Sequence, residues 1–385
     1  MTATVEQRHL PKQPSSATGP PPRRGSRIAV IDGLRLLAAL AVAFFHLGGT
    51  YIARDAWEGR PSTVFPAFYS VASYGWLGVE LFFMISGFVI CMSSWGRSPG
   101  QFFRSRVVRL FPAFWPAVLI STTVVAFWPV VGTRLPWDQV IVNLTMLNLP
   151  LGIPNVDGSY WTLWAEMRFY LLFAVVLLWR GLTMKRTVLF GYGWLVLGVL
   201  AKGSKDPLLT LVFQPKYAPF FVAGIAFFLI HRFGSDLQLW GLAGLSWALA
   251  MHNAVGRLKA MSSDIKDPTL DPRVAMVVVT LFFVVMAVIA VGWTARIQWR
   301  WLTWAGALTY PFYLIHQTVG FSLVHGLHEL RPRLLVLAGV IGILLVLAWL
   351  LHRLVEKPLA RILKTKLEKA SLGMREKDAR EQTTA

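Results

Sequence analysis

Cysteine is nearly absent: of 385 residues only Cys91 is one, and it lies inside an apolar run. A disulfide framework and a cysteine-built metal site are thereby excluded. Charge is scarce as well. Asp, Glu, Lys and Arg make up 15% of the chain, where a soluble protein carries about 25%. Acidic residues are the scarcer half, 19 against 38 Lys and Arg, leaving a net charge of +19. These cations are spread through loops and tails rather than gathered into a basic module with interleaved aromatics, so no nucleic-acid partner is expected. The eight histidines show no H-E-x-x-H or similar ligand spacing, and no residue is assigned to a metal. No internal repeat, inverted or direct, is legible.

What the chain has is apolar length. It is 55% hydrophobic with a mean hydropathy of +0.53, and runs of about 20 apolar residues, enough to cross a bilayer as helix, follow one another. Inside lipid such runs must satisfy their own backbone groups, which makes them helices. The expected fold is an all-α, polytopic transmembrane helical bundle of about ten spans: 28–48, 74–94, 107–130, 160–180, 186–202, 216–232, 236–252, 274–292, 302–326 and 333–354. An even number puts both termini on one side. Placing them in the cytoplasm gives the inner ends and loops the denser Lys and Arg, in line with the positive-inside rule. Those cations also meet anionic membrane lipids. Residues 1–27 read as a disordered N-terminal tail, 28–355 as the transmembrane domain and 356–385 as a basic cytoplasmic tail on the inner leaflet. Span 1 is read as a retained anchor rather than a cleaved signal. Outside loops at about 49–73 and 131–159 are long and rich in Gly, Pro and aromatics, as functional loops often are.

Span 1, IAVIDGLRLLAALAVAFFHLG, holds Asp32, Arg35 and His46. Ionisable groups within a span are costly and usually face a cavity or a partner. At about 100° per residue, the path from Arg35 to His46 closes three turns plus about 20°, and Asp32 falls about 40° from His46. The three therefore share one stripe, with Arg35 and His46 roughly 16 Å apart along the axis. One helix face offers a cation near one membrane surface and an imidazole toward the other. An imidazole, with its near-neutral intrinsic pKa, is suited to proton transfer.

Other spans add polar groups. GWLGVELFFMISGFVI places Glu80 near the outer end of span 2, as a site carboxylate or as the ion-pair partner of an arginine. In QFFRSRVVRLFP, Arg106 and Arg109 are i,i+3 at a helix start, a candidate phosphate site on the same side as Arg35. In SYWTLWAEMRFYLLF, Glu166 and Arg168 are too close in sequence to face each other on a helix, so each needs a partner elsewhere. His316 in YPFYLIH reads as a structural hydrogen-bonding residue. Glu356 in RLVEKPLAR reads as the partner of an arginine at the cytoplasmic surface.

Six of these segments, in this order, resemble the landmarks of the acyltransferase-3 family of integral membrane acyltransferases. They are IDGLRLLAALAVAFFH with its Arg-x10-His spacing, GVELFFMISGFVI, RVVRLFP, WTLWAEMRFYLLF, YPFYLIH and VEKPLAR, and they run from Asp32 to Arg361. The resemblance implies about ten spans and transfer of an acyl group from acyl-CoA to a hydroxyl, often on a glycan. The expected location is a bacterial plasma membrane. Acyl-CoA, taken as acetyl-CoA, is then a co-substrate rather than a permanently bound cofactor. Its phosphates meet Arg35, Arg106 and Arg109 with Asp32 alongside, and its thioester reaches His46. Glu80 or Glu166 is the carboxylate that orients the imidazole or meets the acceptor. His46 lies close to the outer end of span 1, which favours a cell-surface polysaccharide or lipid-linked glycan over a small-molecule metabolite such as a macrolide. Two other classes fit the same stripe: a glycan or metabolite exporter, which needs no acyl donor, and a non-catalytic scaffold, whose polar stripe has no cavity beside it.

Overall fold

The computed structural model describes residues 28–265 and 270–384, so the tail expected to be disordered, 1–27, lies outside it. All regular structure among the described residues is helical. The principal helices are α1 (Ala29–Phe44), α2 (Gly78–Ser94), α3 (Pro99–Phe127), α4 (Trp161–Phe173), α5 (Met184–Ser204), α6 (Ala218–Phe233), α7 (Leu237–Ile265), α8 (Pro272–Ala290), α9 (Arg300–Ile315), α10 (Thr318–Leu327), α11 (Arg333–Leu350) and α12 (Lys357–Thr384). Eight helical stretches are long and apolar enough to cross a membrane. The expected spans differ from these at two places. The segment 236–252 forms the first part of α7, which runs on through Asn253, Arg257 and Lys259. The segment 302–326 is two helices, α9 and α10, broken at His316 and Gln317.

α1 and α2 lie at the centre. α1 packs on α9 at one side and on α2 at the other. Behind α2 comes α6, whose residues from Ala218 to Ile230 are all buried, ringed by α5, α7 and α8. α3, α11 and the start of α12 close the α9 side. The tightest crossing is α2 on α6. A Cβ on Gly87 would overlap the carbonyl of Phe221, and one on Gly224 the carbonyl of Met84. Reciprocal small residues of this kind let two backbones touch, which is how helices gain packing energy in lipid. α1 meets α9 in the same manner, with Gly306 against Asp32, where a Cβ would fall 2.5 Å from the carboxylate Oδ1.

Two local features set the site. α3 starts on a capping box, Ser98 with Gln101, with Pro99 as its first residue. The chain therefore turns sharply after α2, and the arginine face of α3 begins beside the start of α1. At its other end α1 relaxes into a π-helical turn, Phe45–Gly49, which carries His46. Such turns release a side chain from the regular helical face and are frequent at functional sites.

Candidate active site

Arg35 projects from α1 into a narrow cavity between α1, α2, α4 and α9. Glu166 on α4 and Ser86 on α2 face the same space, and Ser86 Oγ donates to Glu166 Oε1 at 2.6 Å. The remaining wall is apolar apart from hydroxyls of Thr162, Thr309, Tyr310 and Tyr313. An apolar cleft with a few converging polar groups is the usual make-up of a ligand site.

The cationic end is a network. Arg109, Glu166 and Asp32 are the charged neighbours of Arg35. Arg106 joins through Tyr170, which hydrogen-bonds both Arg106 and Glu166. Arg109 lies over the Tyr310 ring, 5.8 Å from its centroid, and pairs with Glu356 at 3.6 Å. The other oxygen of Glu356 is 2.6 Å from Nδ1 of His352. Three guanidiniums are thus balanced by Asp32, Glu166 and Glu356, so this is a polarised network and not a bare cationic patch. Arg106 differs from its neighbours: its guanidinium reaches the hydroxyls of Ser93 and Ser105, both at 3.3 Å.

Toward the other end of α1, the His46 ring centroid lies 5.3 Å from that of His316. Both imidazoles occupy interruptions, one in the π turn after α1 and one in the break between α9 and α10. His316 is fully buried, with Nδ1 2.6 Å from the Tyr313 carbonyl. A carbonyl only accepts, so Nδ1 holds the proton and Nε2 keeps its lone pair. That Nε2 and Nδ1 of His46 are buried atoms without a hydrogen-bond partner among the described residues.

Asp157, in the loop before α4, holds the break in place. Its Oδ2 accepts from the backbone N–H of Thr318, the first residue of α10, at 3.0 Å. Its Oδ1 accepts from the N–H and hydroxyl of Ser159 at 2.9 and 2.6 Å. Asp157 is also an electrostatic neighbour of His316. Tyr313 links the two ends of the site. It lines the cavity, its hydroxyl is 2.9 Å from Thr162 Oγ1, and its ring centroid is 5.1 Å from that of His316. Tyr313 and Phe82, 5.5 Å apart, line the cavity, whereas neither imidazole does.

The structure therefore gathers Asp32, Arg35, Arg106, Arg109 and Glu166 into one charge network, of which Arg35 and Glu166 line the cavity, and sets His46 outside that lining, beside His316. Glu80 does not join them. It is 1% exposed and forms an ion pair with Arg257 of α7, which is flanked by Trp76 and Tyr217 with 5.0 Å to each ring centroid. Glu80 is absent from the residues that line the cavity, so of its two expected parts, site carboxylate or partner of an arginine, the structure displays the second. Arg168 donates to the carbonyl of Leu211 at 2.8 Å. Sequence reasoning missed Asp157 and gave His316 only a structural part. The available signal was VDGSY, an acid with turn residues just ahead of a span, in one of the two loops singled out for length.

A family model of the acyltransferase-3 type, described as an acyltransferase domain, matches residues 28–353. Acyltransferase MdmB of Streptomyces mycarofaciens is 26% identical over 89% of this chain and 94% of its own length. Peptidoglycan O-acetyltransferase OatA of Listeria monocytogenes is 27% identical over 38% of this chain, but over only 24% of its own length. Nodulation protein 10 of Rhizobium leguminosarum bv. viciae is 27% identical over 58% of this chain and 65% of its own. No solved structure matches.

Proposed function

This chain belongs to the acyltransferase-3 family and is an integral membrane O-acyltransferase; from that membership we propose that its donor is cytoplasmic acyl-CoA and its acceptor a hydroxyl of a cell-surface glycan or lipid-linked sugar. The observation that carries this reading is a cavity lined by Arg35, whose charge network includes Arg109 and, through Tyr170, Arg106, with two imidazoles beyond Tyr313. A coenzyme with phosphates at one end and a thioester at the far end of a flexible arm has the matching polarity. Arg35, Arg106 and Arg109 hold the phosphates, since guanidinium forks pair with phosphate oxygens. Arg106 leads, because its present partners are hydroxyls that a phosphate readily replaces. The arm lies along the cavity, and Tyr313 and Phe82 turn aside to admit the thioester.

In the direct route, His46 takes the proton from the acceptor hydroxyl as the oxygen bonds to the thioester carbonyl carbon. The C–S bond breaks and the proton passes to the departing coenzyme thiolate. In the covalent route, a nitrogen of His46 bonds to the carbonyl carbon as the C–S bond breaks and the ring's N–H proton goes to the thiolate; the acceptor oxygen then takes the acyl group, and its proton returns to the ring. His316, held by the Tyr313 carbonyl and beside Asp157, positions His46. An acetyl group is favoured because one relative is named as a peptidoglycan O-acetyltransferase. The proposed location is a bacterial plasma membrane with both termini inside.

The test combines purified protein in detergent, assayed with labelled acetyl-CoA, and mass spectrometry of surface glycans and metabolites with and without the gene. His46→Ala is expected to remain monodisperse and to transfer nothing; full activity in that variant removes His46 from the mechanism. Arg35→Ala is expected to raise KM for acetyl-CoA by about tenfold or more, the worth of a hydrogen bond to a charged group. An unchanged KM overturns the donor site. Acylated metabolites in place of acylated glycans would move the acceptor to the small-molecule class.

A further inference from the structure

One cluster of donor atoms stands apart from the cavity and the histidine pair. It forms where α10 ends against the short helix Arg54–Trp57. His325 lies in the last turn of α10, His328 caps it, and Glu58 caps Arg54–Trp57. One ligand atom from each of Glu58, His325 and His328 lies within 4.8 Å of the other two. The two imidazoles stack with centroids 5.4 Å apart and 14° between planes, and Nε2 of His328 is 3.2 Å from Oε2 of Glu58.

Protonation is constrained here. Nδ1 of His328 is 2.6 Å from the carbonyl oxygen of His325. A carbonyl only accepts, so Nδ1 carries the proton, and the neutral ring presents its lone pair at Nε2. That lone pair faces a carboxylate oxygen, and the buried Nδ1 of His325 makes no hydrogen bond among the described residues. A second proton on the His328 ring or a bound cation reconciles these two donors, and only a cation also engages the His325 nitrogen.

We propose that Glu58, His325 and His328 bind one divalent transition-metal ion of the zinc class. Two imidazoles and one carboxylate favour such an ion over calcium or magnesium, which take oxygen ligands. Tetrahedral zinc with ligands at about 2.0–2.1 Å sets neighbouring ligand atoms about 3.4 Å apart, close to the spacing of His328 and Glu58. The fourth position opens to water, because the Glu58 side chain is 60% exposed. The ion pins an outer loop to α10. Trp57, next to Glu58, is fully buried and donates its indole N–H to the Leu47 carbonyl at 2.7 Å, inside the π turn that carries His46. The site is therefore a clamp on the turn that presents His46.

The full chain, purified without a polyhistidine tag, is stripped with a chelator, desalted and titrated with zinc chloride. The wild type is expected to retain about one equivalent by elemental analysis, to gain thermal stability on binding, and to give the visible absorption of a tetrahedral ion with cobalt(II). His328→Ala and Glu58→Gln are expected to bind more weakly by more than the roughly 10–100-fold that losing a ligand's hydrogen-bond partner costs. Glu58 is exposed, so Glu58→Gln reports on the site without a folding defect. Sub-stoichiometric zinc on the wild type, or equal affinity in wild type and Glu58→Gln, overturns the proposal and leaves a plain imidazolium–carboxylate pair.

Discussion

At the scale of single residues, the site depends on acceptors placed where helices stop. Asp157 is 0% exposed and its two oxygens serve three donors, two on Ser159 and one on Thr318. In Asp157→Asn one oxygen becomes an NH2, so a donor faces a donor whichever way the amide turns. Leaving a buried donor unmet costs about 1–3 kcal/mol. The variant is expected to melt at lower temperature and, because His316 sits on the break that Asp157 caps, to lose acyl transfer by about a hundredfold, the effect of a displaced catalytic group. Retained acetyl-CoA binding with lost turnover separates this from global unfolding; wild-type turnover would show that the break does not depend on the carboxylate. That Arg35 and His46 share one span was legible because a single apolar run carries both; the π turn that takes His46 off the regular period was not. Asp157 was not, because its partner Thr318 is distant in sequence and only the folded chain brings them together.

Among elements, the Glu80–Arg257 pair ties α2 to α7 and has no wall in common with the cavity. Breaking one side of a buried pair leaves an uncompensated charge, costing about 3–5 kcal/mol, whereas replacing both partners by apolar side chains of similar size is often neutral. Glu80→Leu is therefore expected to lower the melting temperature in detergent strongly. Glu80→Leu with Arg257→Met is expected to recover most of that loss and to keep acyl transfer per folded molecule. A double variant that stays stable yet inactive would return Glu80 to the chemistry. The sequence showed most helices, since apolar runs in lipid have one solution, and it offered pairing with an arginine as one of two roles for Glu80. It did not show which arginine, nor the break in α9–α10. An apolar stretch such as 302–326 reads as continuous, while its interruption at His316 is imposed by a carboxylate from another segment.

For the whole molecule, orientation decides whether the proposed donor can reach its site. The starts of α1 and α3 and the turn at Glu356 meet at one end, where Arg35, Arg106 and Arg109 collect. The loop segment Arg54–Ala72 and the break at His316 lie toward the other, beside His46. A cytoplasmic coenzyme requires the arginine end to face inward, as the denser inner cations also ask. The near-absence of cysteine makes this testable: Cys91 is buried, and Cys91→Ala leaves a cysteine-free background. Thr63→Cys lies at the exposed position of the short helix Pro61–Val64, and Lys364→Cys on α12, where the side chain is 66% exposed. A membrane-impermeant maleimide on intact cells is expected to label Thr63→Cys alone, and to reach Lys364→Cys once the membrane is opened. The opposite pattern would put the arginines outside, where no acyl-CoA is made, and the donor would have to be an acyl group carried by a different anionic molecule.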